Sequence, residues 1–347
     1  MSSQHPLRAI LPGLAFAVAL AAAAKGVSLA SGGTVSAVLC AIALGILWRN
    51  LTEFGAWAEP GLEFAGQTLL RIGIALIGLR LTLLVLADVS LTAVPVVIAC
   101  IAVALMAAVG LGRLLGVTAS IRRLLAAGTA ICGCTAIIAI APLIRAQKAD
   151  IGIAISCVVL FGSIAMVGYP WLAGVVFGSE SLPAGMFFGA SIQDTSQVVG
   201  AALIYAEQFD APTTIAVAGL TKFLRTFGLL VLVPAAAMWM ARSESMPATD
   251  QPRDLRQRAV PWFVMVFLAL VVVRTVGDQF AGGFMELWQQ LLAWAQRFSE
   301  LLLLCGMAAV GLGITFSHLR EAGWRPLLLS FLAAFLTGAC ALALLIL

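Results

Sequence analysis

Apolar runs long enough to cross a lipid bilayer follow one another along almost the whole chain, separated by short polar links. A spanning helix needs about 20 predominantly apolar residues. In lipid only helices and closed barrels satisfy every backbone polar group. The runs fall near 9–24, 34–48, 62–86, 91–111, 124–144, 149–176, 183–206, 212–240, 259–277, 299–317 and 325–346. The fold class that follows is an all-α polytopic membrane protein of about eleven transmembrane helices, in one transmembrane domain over 1–347. Only 10% of the residues are charged, against about 25% in soluble domains, and no polar block is long enough for a separate soluble domain. The polar start with His5 and Arg8 before a run ending AAAAK imitates a signal peptide. The same apolar texture continues beyond it, so an uncleaved first helix is expected.

Loop charge sets orientation. With eleven crossings, one side holds Arg8, Arg49, Arg113, Arg122, Arg123, Arg242, Arg253, Arg256, Arg258, Arg320 and Arg325. The other holds Lys25, Arg145, Lys148, Arg274 and Arg297. This bias predicts a cytoplasmic N-terminus and a charged cytoplasmic loop over 241–258. FMELWQQLLAWAQRF (284–298) repeats apolar residues at helical spacing, and its Trp288 and Trp294 predict a helix lying in the membrane interface, with an extra spanning or half-spanning helix as the alternative.

One internal repeat is visible. GIALIGLRLTLLVL from Gly73 and GMAAVGLGITFSHL from Gly306 share Gly73/Gly306, Ala75/Ala308, Gly78/Gly311, Leu79/Leu312, Thr82/Thr315 and Leu86/Leu319. Seven crossings separate the two segments, so they run in opposite directions. This predicts inverted-topology repeats, as in many secondary transporters, with elements in 62–145 and 183–346.

Three segments carry polar groups at membrane depth. Lys222 and Arg225 lie in the apolar run 213–239, where each charge costs about 2.5–3.5 kcal/mol even on the mildest scale. Three residues apart, they share one helix face, and they need a partner, a cavity or a substrate. In 187–206 five consecutive polar residues, Gln193, Asp194, Thr195, Ser196 and Gln197, interrupt an apolar run. Either that helix is broken or the stretch lines water. Asp194 can take a proton, bind a small cation or pair with Lys222 or Arg225. In 126–144 the residues Gly128, Thr129, Cys132, Gly133, Thr135 and Pro142 suit a broken helix whose freed amides or carbonyls meet an ion, or close packing through small residues.

Other features carry less. Arg71 and Arg80 face nearly opposite directions on one helix, and Arg80, near a span end, is a candidate site residue. The seven cysteines lie in apolar stretches and give no disulfide framework. Cys132 and Cys134 lack further metal ligands nearby, and His5 and His318 sit at membrane edges. No phosphate loop or nucleophile–base motif is present. No enzymatic activity, cofactor or nucleic-acid partner is expected. Small-residue spacings recur on several helices, so a homo-oligomer is compatible with the chain without a face being identified.

AGTAICGCTAIIAIAPLI, GASIQDTSQVVGAA, LTKFLRTF, IGLRLTL and GWRPLLL together resemble the bacterial sulfate exporter family of inner-membrane proteins, across nearly the whole chain and in the family's order. The resemblance implies a bacterial inner-membrane protein, distantly like cation:proton antiporters and bile-acid:sodium symporters. It also implies inverted repeats with two discontinuous helices crossing near the bilayer midplane, here 126–144 and part of 183–206. Relatives commonly carry histidine where this chain has Gln193, so any proton coupling shifts to Asp194 or is lost.

The expectation is a secondary transporter exporting a small anion, sulfate or a related sulfur oxyanion, by alternating access. Lys222 and Arg225 would neutralise the anion, and Thr129, Thr135, Thr195 and Ser196 would replace its water. Asp194 would couple to H⁺ or Na⁺. The alternatives are a cation:proton antiporter using Asp194 and Lys222 and, more remotely, an intramembrane enzyme or receptor.

Overall fold

A computed structural model describes residues 6–31, 36–52, 55, 57–227, 262–280, 284–314 and 323–347. Among these residues every regular element is helical. They are α1 (Pro6–Ala30), α2 (Ala37–Leu51), α3 (Glu59–Arg80), α4 (Leu83–Leu114), α5 (Ala119–Ala130), α6 (Cys134–Ile140), α7 (Lys148–Phe177), α8 (Ser181–Ser191), α9 (Thr195–Phe209), α10 (Thr214–Thr226), α11 (Trp262–Phe280), α12 (Met285–Leu312) and α13 (Trp324–Ile346). Seven of these helices, α1, α3, α4, α7, α11, α12 and α13, are long and apolar enough to span a membrane, and α2 is a shorter apolar helix. The chain is a polytopic membrane protein.

Two boundaries differ from expectation. The break between the third and fourth spans falls at Leu81–Thr82, where the backbone turns extended, and not after Leu86. The segment 284–298 is no separate interfacial helix; it is the first half of α12. Within it Trp288 packs back on Gly277 of α11 and gives its indole N–H to Asp278, while Leu287, Leu291, Trp294 and Phe298 stay exposed. The 241–258 loop, His318 and the repeat positions Thr315 and Leu319 lie outside the described residues.

The helices pack as two bundles. One holds α1, α2, α3, α11 and α12; the other holds α4 to α10 and α13. Among the described residues they meet through α9 against α2 and α12, α10 against the end of α3 and against α11, where the Phe223 and Phe267 rings stand 5.1 Å apart, and α4 against α11. In the first bundle the internal repeat becomes a packing symmetry. A Cβ on Gly73 would meet Leu303 Cδ2 at 2.9 Å, and one on Gly306 would meet Leu70 Cδ1 at 2.7 Å. In the alignment Gly73 corresponds to Gly306 and Leu70 to Leu303, so each glycine meets the leucine three residues before its counterpart. Gly306→Val overpacks this seam. It is expected to cost about 1–3 kcal/mol, read as a lowered thermal midpoint in detergent.

Both interrupted segments are discontinuous, as the polar clusters suggested. The difference lies in what the second half does: it doubles back. Ile137 of α6 lies against Gly128 of α5, 2.9 Å from where its Cβ would be. The following helix, α7, runs parallel to α13, with Phe161 beside Phe331 and Tyr169 on Gly338. It therefore starts at the end where α5 starts. On the other side, the Phe188 and Tyr205 rings stand 5.5 Å apart, and Tyr205 donates to Gly178 O at 2.8 Å. Thus α9 returns to the end where α8 begins. The result is two re-entrant hairpins, α5/α6 and α8/α9, entering from opposite ends. First arms of 12 and 11 residues reach about 18 and 16 Å, half of a hydrocarbon slab of about 30 Å.

Candidate functional site

The hairpin tips, 131–133 and 192–194, meet. At Gly133 the backbone takes φ 61° and ψ −126°, a region open essentially to glycine alone. A Cβ there would lie 3.1 Å from Asp194 Oδ2 and 3.3 Å from Asp194 Cα. Asp194 is the N-cap of α9: its Oδ1 accepts from the Ser196 amide at 2.9 Å and from Ser196 Oγ at 2.7 Å. Such a cap satisfies a donor the first turn cannot pair internally.

A helix that stops at half depth leaves carbonyls with no intrahelical donor, each costing several kcal/mol in lipid if unpaired. The fully buried cations of α10 supply the donors. Lys222 Nζ donates to Ile131 O and Ile192 O, both at 2.9 Å, and to Gln193 O. Arg225 donates from Nε to Ala130 O at 2.8 Å, from Nη1 to Ala190 O at 2.7 Å and Ile192 O at 3.1 Å, and from Nη2 to Thr129 O. Each cation thus binds both hairpins. The α5 and α8 C-termini also present their negative dipole ends here, about half a charge each.

Close approach places these cations. Gly185 and Gly189 of α8 admit α10: a Cβ on Gly189 would lie 2.6 Å from Ala218 O and 3.0 Å from Lys222 N. The spacing GMFFG is the small-xxx-small pattern of tight membrane helix pairs, a signal in the sequence that bears directly on where Lys222 sits.

The candidates separate into two layers. Lys222, Arg225, Thr129, Cys132, Gly133, Gln193 and Gln197 are buried. Asp194, Thr195 and Ser196 are partly exposed, and Thr135 is exposed. Several expected roles change. No ion pair joins Asp194 to Lys222 or Arg225 among the described residues, because backbone carbonyls take all three ammonium protons. Lys222 therefore has no donor left for an anion in this arrangement, and Arg225 keeps one. The Thr129 hydroxyl donates to Leu125 O at 2.6 Å within its own helix and does not face a substrate. Gln197 Nε2 reaches Val159 O at 2.9 Å and Ser163 Oγ at 3.2 Å on α7, its amide seated on Gly162. The Oε1 atoms of Gln193 and Gln197 are buried with no partner. Arg80 is elsewhere: it pairs with Glu300 at 2.7 Å and reaches Pro212 O at 3.5 Å, where the two bundles meet. Arg71 lies over the Phe263 ring at 5.9 Å.

The charge balance at the tips follows. Two full positive charges face about one unit of negative helix-end charge and one carboxylate, so these cancel to first order. The N-terminal dipoles of α6 and α9, about half a positive charge each, leave the tips net positive.

Comparison with known proteins bears on the whole chain. Residues 12–330 match the family model described as conserved hypothetical protein 698. The chain is 30% identical over 350 residues to the UPF0324 membrane protein TauZ of Paracoccus pantotrophus, covering 97% of this chain and 98% of that one. It is 31% identical over 311 residues to a UPF0324 membrane protein of Yersinia pestis, covering 86% and 81%. To the UPF0324 inner membrane protein YeiH of Escherichia coli K12 it is 28% identical over 340 residues, covering 95% and 92%. No solved structure matches.

Proposed function

The chain belongs to the conserved hypothetical protein 698 family, whose relatives are named UPF0324 membrane proteins, and from that premise we propose that it is a secondary transporter for a small anion. The observation that carries this reading is the meeting of two oppositely inserted hairpin tips at half depth, held on two buried cations, with Asp194, Thr195 and Ser196 accessible beside them. Interrupted helices at mid-membrane, tolerated where they line a cavity, are how transporter folds present backbone dipoles to small ions. The net positive balance favours an anion over the cation:proton antiport alternative. A sulfur oxyanion, sulfate among them, is the substrate class first to be tried.

In this reading the anion meets the Thr195 and Ser196 hydroxyls and competes with the Asp194 carboxylate for the first turn of α9. Taking up H⁺ or Na⁺ at Asp194 lowers that competition, which couples the two fluxes. Movement of the hairpin bundle against the other bundle exposes the tips to each side in turn.

Orientation belongs to the same proposal. Because the first hairpin returns to its own side, Arg145 and Lys148 join the side holding Arg8, Arg113 and Arg325. Moving these two cations from the smaller set to the larger strengthens the assignment of a cytoplasmic N-terminus in the bacterial inner membrane.

The test is flux into proteoliposomes loaded with sulfate, sulfite, thiosulfate or small sulfonates, with and without a pH or Na⁺ gradient. At least one oxyanion is expected to move. Asp194→Asn is expected to keep oxyanion exchange while losing the gradient dependence. Na⁺/H⁺ exchange without oxyanion flux, abolished by Asp194→Asn, would hand the function to the antiporter alternative.

A further inference from the structure

We infer that Lys222 and Arg225 are positioning residues, an ionic staple that makes the two hairpin tips one unit, and that they do not bind the transported ion. The flux arm of this inference rests on the carrier reading above; its structural arm does not.

Three features point this way. First, each cation donates to both hairpins, with Ile131 O against Ile192 O and Gln193 O for Lys222, and Thr129 O and Ala130 O against Ala190 O and Ile192 O for Arg225. A substrate ligand has no need to reach both sides. Second, both side chains are wholly buried, whereas the polar groups open to a ligand, Asp194 to Ser196, belong to the other layer of the tips. Third, the tips cannot part without leaving buried charges and carbonyls unpaired together. By contrast the contacts across the seam between the two bundles are, among the described residues, mostly apolar, Phe223 on Phe267 among them, and such contacts can shift without orphaning a buried charge. The surface for motion is therefore that seam, and the tips travel together with α10. Access alternates by displacement of the whole α4–α10 and α13 bundle, and neither hairpin opens as a lid.

The structural arm is hydrogen–deuterium exchange on the purified chain. Lys222→Met is expected to raise exchange at least about tenfold in 129–133 and 190–194 together. Arg225→Lys keeps the charge but loses the guanidinium fork; it is expected to loosen both segments by less, and it serves where Lys222→Met does not fold. Loosening of one tip alone, or of neither, overturns the staple.

The flux arm compares flux with tip protection in the same variants. Across Lys222→Met and Arg225→Lys, oxyanion flux is expected to fall in step with the loss of protection at 129–133 and 190–194, Arg225→Lys keeping more of both. Lost flux in a variant whose two tips stay protected from exchange would make that cation a ligand and end the proposal. Absence of flux from the unmodified protein counts against the carrier reading alone, and the exchange result still decides the staple.

Discussion

Replacing Arg225 with methionine is expected to lower the thermal midpoint in detergent by about 10 °C, from a loss of about 3–5 kcal/mol. The substitution strips three carbonyls, those of Thr129, Ala130 and Ala190, of these donors in a fully buried site and leaves Ile192 O with Lys222 alone. Each orphaned group costs about 1–3 kcal/mol, and relaxation of the tips recovers only part. The comparison that gives the result meaning is Arg71→Met. That guanidinium sits over the Phe263 ring at 5.9 Å, a contact worth about 0.5–1 kcal/mol at exposed sites, so its midpoint should fall by no more than about 4 °C. Equal midpoints for the two variants would mean that the tip carbonyls find other donors.

Gly133→Ala is expected to reduce flux at least about tenfold, equivalent to about 1.4 kcal/mol in the barrier, while the protein still inserts. Two penalties coincide at this position. The backbone at φ 61° and ψ −126° strains any residue with a Cβ by about 1–3 kcal/mol. The added carbon also falls 3.1 Å from Asp194 Oδ2 and 3.2 Å from Asp194 Cβ, forcing the carboxylate off its place beside the cap. Gly219→Ala is the matched control, since a Cβ there meets nothing within 4 Å. Helix propensity makes that change neutral or slightly stabilising. Flux loss of the same size in both variants would remove Gly133 from the site.

Much of the fold was readable because lipid leaves few choices. The apolar runs locate the helices, and the glycines and polar clusters of 126–144 and 187–206 mark where two of them stop. The direction taken after the stop was not readable. Residues 119–140 carry enough apolar length either to cross or to return, and hydropathy measures how apolar a segment is without measuring its heading. Heading is decided by contacts such as Ile137 on Gly128 and Tyr205 with Gly178 O, which join residues whose pairing leaves no pattern along the chain. The same holds for the 284–298 segment, whose amphipathic pattern does not tell a surface helix from the first half of a spanning one.

What the chain alone determined is the demand: two cations in an apolar helix and one carboxylate in a broken segment each require a partner, because hydrocarbon solvates neither. What the tertiary structure decided is the supply. The partners of Lys222 and Arg225 are main-chain carbonyls 29 to 96 residues away, and not Asp194, the acidic side chain of the tips. Every residue owns a carbonyl, so only the packing of α10 between two half-length arms selects which seven contacts form.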